Sequence, residues 1–254
     1  MAMTTTMDRT HFTTLHVSES TPVVFVVHGD VSMRESLELL ARASGWQCET
    51  FASAREFLAR PRATVPSCLI LDVALPDVAG LDLQKRIAVE RSEVPVIFVT
   101  EHGDVHTSVE AMKAGAVEFL TRPFGDDEVL SAIRHAIERS RRALEHAAKT
   151  QALGEKYAAL TPREREVMAL VAAGLLNKQV GGELGISEIT VKAHRGQVMR
   201  KMKAGSLPAL VHMVDWLDGA AQPRDFSSRD AFSTLSAPSL IASSGVFPRW
   251  RATM

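Results

Sequence analysis

Polar residues stand at the ends of apolar, strand-like segments in the first half of the chain. Asp72 falls within CLILDV (68–73), and Thr100 ends VPVIFVT (94–100). In sheets of parallel strands, ligands bind beyond the carboxyl ends of the strands, where the strand order reverses. The sequence therefore predicts a ligand site that combines carboxylate, hydroxyl, imidazole and guanidinium groups. The residues expected there are His28, Gly29, Asp30, Asp72, Thr100 and Arg122.

A second chemical feature is a concentration of positive charge in the second half. Residues 187–203 contain five Lys or Arg residues and a single carboxylate, Glu188. Residues 22–142 instead hold 14 Lys and Arg against 18 Asp and Glu. An acidic region followed by a basic helix indicates a polyanionic partner for the second half.

Composition narrows the class of protein. The 254 residues are 46% hydrophobic and 23% charged, which is typical of a globular chain with about two domains. No apolar segment approaches the roughly 18 residues that cross a membrane, and the N-terminus is polar. Cys48 and Cys68 lie in strand-like segments, as expected for buried thiols in a reducing cytoplasm. The motifs GxGxxG, GxxxxGKS/T, GxSxG and HExxH are absent from the sequence, and we expect no enzymatic activity.

From residue 22, apolar strands alternate with amphipathic helices. Five such strands imply a five-stranded parallel sheet with helices on both faces, which is a doubly wound, flavodoxin-like α/β fold. From Asp126 onward the pattern is helical. The predicted segments are a disordered tail at 1–20, an α/β domain at 21–142, a helical linker at 143–158, an all-α domain at 159–218 and a disordered tail at 219–254.

The all-α domain has clear helix boundaries. Thr161, Pro162 and Glu164 form a capping box with proline at the first helical position. A tight turn at Gly185 joins two short helices, and Ser187 caps the second of them, which carries most of the positive charge. Four helices with this arrangement predict a helix-turn-helix domain. On the basic helix, Lys192 and Arg195 are placed to reach base edges, and Arg200, Lys201 and Lys203 to reach phosphates.

This domain also resembles a known family. The LuxR-type helix-turn-helix of NarL/FixJ-type response regulators is closely similar to LTPREREVMALVAAGLLNKQVGGELGISEITVKAHRGQVMRKMKAGSLPALVHMV. One departure is Gly181-Gly182, because two glycines within a helix cost about 1 kcal/mol each relative to alanine. We expect a less stable domain or unusually close helix packing. The resemblance implies that Lys192, Ala193, Arg195 and Gly196 lie at the DNA groove, with Lys178, Thr190 and Lys201 near phosphates.

Residues 22–142 resemble a CheY-like receiver domain. The segment LILDVALPDVAGLDL is similar to the phosphoacceptor strand and loop, which implies that Asp72 is the phosphoacceptor. The segment VIFVTEHGDVHTSVEAMKAGAVEFLTRPF is similar to the switch region. The resemblance implies switch roles for Thr100, Phe119 and Arg122, the last in place of the family's lysine.

The receiver segment departs from the family after its first strand. His28 and Gly29 stand where the family has an acidic pair that helps to hold Mg²⁺, and Asp30 matches the next position. Mg²⁺ requires oxygen ligands in octahedral geometry, which an imidazole and a glycine cannot supply. Arg122 replaces a compact ammonium with a planar fork. We therefore expect weak or absent Mg²⁺ binding, no other cofactor, and a poor phosphoacceptor at Asp72.

Histidines suggest a different use of the same region. His28, His102 and His106 all map near strand ends, and imidazoles suit Zn²⁺. A protonation switch at His28 is a further alternative. Neither alternative is favoured by the rest of the pattern, and no metal site is expected.

These observations lead to one main hypothesis and two alternatives. The main hypothesis is a cytoplasmic transcription regulator whose degenerate receiver serves dimerisation or partner binding independently of phosphorylation. Its expected partners are double-stranded DNA, a second copy of the chain and RNA polymerase. No membrane association is expected. The sequence does not decide whether a sensor histidine kinase is also a partner. The first alternative is a conventional two-component response regulator switched by phosphorylation of Asp72. The second is a binding protein that sequesters a partner.

Overall fold

Five parallel strands form the centre of the first of two units. The computed structural model describes residues 21–101 and 103–221, and the units divide between His146 and Ala147. The strands are β1 (Val23–Val27), β2 (Gln47–Phe51), β3 (Ser67–Asp72), β4 (Val96–Thr100) and β5 (Glu118–Thr121). The helices that follow them are α1 (Val31–Ala43), α2 (Ala54–Ala59), α3 (Gly80–Glu90), α4 (Val105–Lys113) and α5 (Asp126–Ala158).

The sheet has the order β2-β1-β3-β4-β5, and every pair of neighbours is parallel. This confirms the predicted doubly wound fold. All residues of β1, β3 and β4 are buried, which explains why these strands are continuous apolar segments in the sequence. Val26 and Ile97 belong to the apolar cluster on one face, and Phe25 and Phe98 to the cluster on the other. The order reverses between β1 and β3, so the residues that follow these two strands lie side by side.

The second unit contains four further helices within the residues that the structure describes, as predicted. The capping box is present, with Thr161 Oγ1 accepting from the Glu164 backbone N–H at 3.2 Å. Gly185 has a φ of +64°, a left-handed conformation that glycine tolerates, and Ser187 caps the next helix. No helix in the described part of the chain has the length and apolar content for a membrane span. The helices are α6 (Pro162–Ala172), α7 (Asn177–Leu184), α8 (Glu188–Met202) and α9 (Leu207–Ala221).

The end of α5 belongs to the second unit. Trp216 Nε1 of α9 donates a hydrogen bond to Thr150 Oγ1 at 3.0 Å, and the Lys149 ammonium lies 3.7 Å from the centroid of the indole ring. A buried indole usually finds a partner for its N–H as well as for its ring, and here the end of α5 supplies both. Much of the predicted linker at 143–158 is therefore a packed part of that unit.

The predicted C-terminal boundary is wrong by a few residues. The helix α9 continues to Ala221, so residues 219–221 are helical rather than part of a disordered tail. The predicted tail at 1–20 and the remaining tail from residue 222 lie outside the described residues.

Candidate functional sites

Asp72 is the last residue of β3 and is only 8% exposed. Its Oδ1 accepts a hydrogen bond from the Ala74 backbone N–H at 3.0 Å. The start of α3 packs closely against this strand end, because a Cβ at Gly80 would lie 2.3 Å from the Asp72 carbonyl oxygen. The carboxylate therefore sits on a rigid support that requires glycine at position 80. The sequence pattern did not reveal this contact.

His28 is the nearest titratable neighbour that the structure gives Asp72. It directly follows β1 and is 6% exposed. Its Nδ1 accepts the Asp30 backbone N–H at 3.0 Å, so the proton of the neutral ring lies on Nε2. Nε2 faces Asp72 Oδ2 at 3.6 Å. This distance is too long for a hydrogen bond, but it places an imidazole directly beside the carboxylate.

Asp30 does not take part in this contact. Its Oδ1 accepts the Met33 backbone N–H at 2.8 Å and caps α1, and the residue is exposed. Arg34 NH1 donates to the carbonyl oxygens of His28 and Gly29, at 2.7 and 3.0 Å. The turn after β1 is thus held by Asp30 and by Arg34 of α1. Asp30, expected at the ligand site, is used as a helix cap.

The three predicted switch residues lie on or directly after β4 and β5. Thr100 is buried at the end of β4, and the half-buried Phe119 ring packs on Phe98 with centroids 5.9 Å apart. Arg122 NH1 donates to Glu101 Oε1 at 2.8 Å, and its side chain is about half exposed. No ion pair joins the described side chains of Arg122 and Asp72. The guanidinium is instead paired at the surface with a carboxylate that the sequence reasoning did not consider.

The predicted zinc alternative does not match this geometry. His106 lies on the exposed surface of α4, with its Nε2 3.9 Å from Glu110 Oε1, whereas His28 is buried. His102 lies outside the described residues. Within 21–101 and 103–221, no three His, Cys, Asp or Glu side chains are grouped as metal ligands would be.

The exposed Asp77 has a structural role. Its carboxylate oxygens accept the backbone N–H groups of Ala54 and Arg55, at 3.1 and 2.9 Å. These donors are the first two free amides of α2. Such groups are otherwise without a partner, so Asp77 ties α2 to the loop after β3.

The helix α8 presents most of the predicted DNA-binding residues. Val191, Val198 and Met202 are buried and fix the orientation of the helix. On the other side, Lys192 Nζ lies 3.0 Å from Glu188 Oε1, and Arg195 NH1 donates to Asn177 Oδ1 of α7 at 3.3 Å. Surface pairs of this kind contribute little stability and exchange readily for phosphate or base contacts. The exposed residues of the predicted set on this unit are Lys178, Lys192, Ala193, Gly196 and Arg200.

Two other predicted phosphate contacts have partners within the unit. Thr190 Oγ1 is hydrogen-bonded to Ser187 Oγ at 2.8 Å. Lys201 Nζ donates to Glu164 Oε2 at 2.7 Å and to the Ala159 carbonyl oxygen at 3.2 Å. A phosphate contact by Lys201 would compete with this arrangement.

Glu164 is 5% exposed and holds the start of α6. The hydrogen bond from Lys201, followed by that from the Thr161 backbone N–H, keeps the pKa of Glu164 below its ordinary value. Both bonds favour the ionised carboxylate. Lys201 therefore stabilises the capping box, a role that the sequence pattern did not reveal.

The adjacent glycines of α7 differ in their surroundings. A Cβ at Gly181 would lie 2.7 Å from the Ile186 carbonyl oxygen, whereas a Cβ at Gly182 would meet nothing within 4 Å. Gly181 thus permits a close approach between α7 and the turn that follows it. Gly182 has no such requirement.

Comparison with known proteins matches both units. Residues 24–134 match the profile of the response regulator receiver domain, and residues 158–214 match that of the bacterial regulatory proteins of the luxR family.

Two relatives and one solved structure are similar over most of the chain. Nodulation protein W of Bradyrhizobium diazoefficiens is 49% identical over 203 residues, covering 80% of this chain and 89% of that protein. Response regulator protein TodT of Pseudomonas putida is 41% identical over 202 residues, with the same coverage of 80% and 89%. The solved structure of response regulator StyR is 41% identical, with a TM-score of 0.69 over 77% of this chain and 99% of that chain.

Proposed function

The chain belongs to the NarL/FixJ-type response regulators, DNA-binding transcription factors of two-component systems, and from this membership we propose how its receiver works. The receiver acts without phosphorylation and serves dimerisation or partner binding. The domain at 159–218 binds double-stranded DNA in the cytoplasm as a homodimer and acts on RNA polymerase. The protein has no enzymatic activity of its own.

The contact between His28 and Asp72 carries this proposal. An imidazole at 3.6 Å from the carboxylate takes up space where a hydrated cation would have to sit. Gly29 offers no side-chain ligand, and the Asp30 carboxylate caps α1. The side chains around Asp72 therefore do not fit Mg²⁺, which prefers oxygen ligands in octahedral geometry.

Arg122, the cation expected to offset phosphate charge, is paired with another carboxylate. Phosphoryl transfer depends on positive charge near the equatorial oxygens of the transferred group. Arg122 is paired with Glu101 at 2.8 Å and would have to leave this partner to approach Asp72. This arrangement supports a receiver that does not depend on phosphate.

The DNA-binding surface that we propose consists of two kinds of contact. Lys192, Ala193, Arg195 and Gly196 lie at the base edges, since buried residues on the opposite side of α8 orient this face outward. The phosphate contacts come from Lys178, Thr190 and Arg200. Lys201 joins them only when its ammonium shares or leaves its hydrogen bond to Glu164.

One observation favours the conventional switch as a second candidate function. Asp72 is retained at the end of β3, and Thr100 lies buried at the end of the adjacent strand. In that case Asp72 would be phosphorylated by a sensor histidine kinase. The sequestering protein, the third candidate, would not require specific DNA binding at all.

A phosphodonor experiment separates these candidates. Full-length protein is incubated with acetyl phosphate and Mg²⁺, its intact mass is measured, and its affinity is determined for duplexes selected from a random library. We expect no added phosphate and tight binding before treatment. Asp72→Asn should leave the affinity within about threefold, under ~0.7 kcal/mol. Asp82→Asn, an exposed carboxylate on α3, serves as the control.

Two outcomes would contradict the proposal. A gain of one phosphate in the wild type, lost in Asp72→Asn and accompanied by at least tenfold tighter DNA binding, would establish the conventional switch. Selection that yields no preferred duplex would instead favour the sequestering protein.

A further inference from the structure

Ile189, the second residue of α8, is a large apolar side chain that is 80% exposed. It belongs to neither of the two apolar clusters that the described residues of this unit form. A β-branched residue is also a weaker helix former than alanine. In the free protein, the side chain therefore contributes neither packing nor helix stability.

Helix geometry places Ile189 on the proposed DNA-binding face. Residues three, four and seven positions apart share one side of a helix. Lys192, Ala193 and Gly196 stand at these spacings from Ile189, and all four residues are exposed. Ile189 lies about 4.5 Å nearer the start of the helix than Lys192.

The shape of this face suits close approach to a groove. From Ile189 through Ala193 to Gly196 the side chains become smaller, and a Cβ at Gly196 would meet nothing within 4 Å. Lys192 and Arg195 lie along one side of this line, and their positive charge complements the phosphates beside a major groove. In helix-turn-helix proteins, the first residues of the recognition helix are those that contact base edges.

The base edges of the major groove offer one apolar partner for such a side chain. The 5-methyl group of thymine is the apolar feature there, while the other exposed groups are hydrogen-bond donors and acceptors. We propose that Ile189 determines sequence specificity by contacting the 5-methyl group of a thymine in each half-site. This inference rests on the placement of α8 proposed above.

Deoxyuridine provides the test, since it pairs as thymine does but lacks the methyl group. Duplexes are selected from a random library with full-length wild-type protein, and each thymine of the selected site is replaced singly by deoxyuridine. In each half-site there should be one thymine whose replacement weakens wild-type binding about fourfold. This is the effect of losing one buried methyl group. Ile189→Ala should bind the thymine duplex about fourfold more weakly and show no further loss with deoxyuridine at that position.

Two control variants accompany this measurement. Val89→Ala removes an equally exposed aliphatic side chain from α3 and should respond to deoxyuridine as the wild type does. Lys192→Ala tests the placement of α8 separately, since it should weaken binding to thymine and deoxyuridine duplexes alike.

The outcomes test the thymine contact of Ile189 separately from the placement of α8 on DNA. The inference is overturned if no single deoxyuridine weakens wild-type binding, or if Ile189→Ala stays equally sensitive while Lys192→Ala loses affinity. Unchanged binding by Lys192→Ala as well would overturn the proposed DNA-binding face itself. Ile189→Ala removes no buried contact, so loss of folding does not confuse the result.

Discussion

Asp72 in the first unit and Glu164 in the second are similarly buried carboxylates, with 8% and 5% exposure. Their surroundings differ. Glu164 receives hydrogen bonds from Lys201 and from the Thr161 backbone, so its charge is fully supported. Asp72 receives one backbone hydrogen bond and faces an imidazole at 3.6 Å. A carboxylate in a matched motif therefore has the chemistry that its neighbours allow, and family membership alone does not define those neighbours.

The comparison also separates two kinds of site. The proposed DNA-binding face consists of exposed side chains on α8, which is fixed from behind by buried residues. The receiver site requires several groups to converge on one carboxylate. Changing His28 or Arg122 alters the whole convergent site, whereas a change on the exposed face removes one contact and leaves the other contacts in place.

The largest effect should come from breaking the DNA-binding face. Lys192→Ala and Arg195→Ala should each lower specific DNA affinity by about 1–3 kcal/mol, because each removes a base contact. Fluorescence anisotropy with the selected duplex measures this loss. Lys113→Ala, an exposed cation of α4, should leave affinity unchanged. Full affinity in both variants would refute the proposed DNA-binding face.

The next effect concerns the supported carboxylate. Lys201→Ala should destabilise the second unit by about 1–3 kcal/mol, because Glu164 loses its charged partner while it stays buried. Urea unfolding of the full-length protein measures this change, with Lys178→Ala as an exposed control. Unchanged stability, together with weaker binding to all sequences and a flatter salt dependence, would show that Lys201 acts mainly on phosphate.

Acid provides a second readout of the same pair. The pKa of Glu164 is lowered in the folded protein, so the unfolded chain binds more protons in acid. The stability from this group is present above the ordinary carboxyl pKa near 4.5 and is lost as pH falls through the lowered value. Between neutral pH and the acidic range in which Glu164 is protonated, Lys201→Ala should lose less unfolding free energy than the wild type. Equal acid dependence in both proteins would contradict the assignment.

Restoring the convergent site should have an intermediate effect. His28→Asp with Gly29→Asp should raise Mg²⁺ affinity at least tenfold, about 1.4 kcal/mol, because two carboxylates join Asp72. A Cβ at position 29 would lie 3.9 Å from Pro76 Cδ, which is ordinary contact, so the side chain fits. The restored site should also make phosphorylation of Asp72 measurable, and adding Arg122→Lys should increase this phosphorylation.

Titration calorimetry measures Mg²⁺ binding in these variants. The matched control replaces the same two residues with asparagine, which preserves size without charge. Tight Mg²⁺ binding by the wild type, equal to that of the restored protein, would show that the receiver is not degenerate.

The smallest effect distinguishes the two glycines of α7. Gly182→Ala should raise the unfolding free energy by about 0.5–1 kcal/mol, since the position is open and alanine is the better helix former. Gly181→Ala should lower it, because its Cβ would come within 2.7 Å of the Ile186 carbonyl oxygen. Thermal unfolding compares the two variants. Similar changes in both would contradict the packing described for Gly181.

Local patterns made much of the fold predictable from sequence. Five strands alternate with helices as expected, and the capping box at Thr161 forms as predicted. Each of these features depends on residues that are close in sequence. Periodicity and capping residues therefore identified them without knowledge of the tertiary structure.

The candidate sites were less predictable because they depend on contacts between distant residues. The pairing of Arg122 with Glu101 and of Lys201 with Glu164 joins residues 21 and 37 positions apart. Gly80 and Asp77 likewise act through backbone groups of other elements. Residue type and strand ends located the region of Asp72, but only the folded chain shows which groups His28, Asp30 and Arg122 contact.

The packing of Trp216 on the end of α5 bears on how this protein can be divided. A fragment that begins at residue 159 would contain the whole helix-turn-helix but would lack Lys149 and Thr150, and the indole would lose these two contacts. A fragment that begins at Ala147 retains them. The smallest piece that can be transplanted, crystallised or fused to another receiver is therefore longer than its motif, because the preceding helix supplies part of its core.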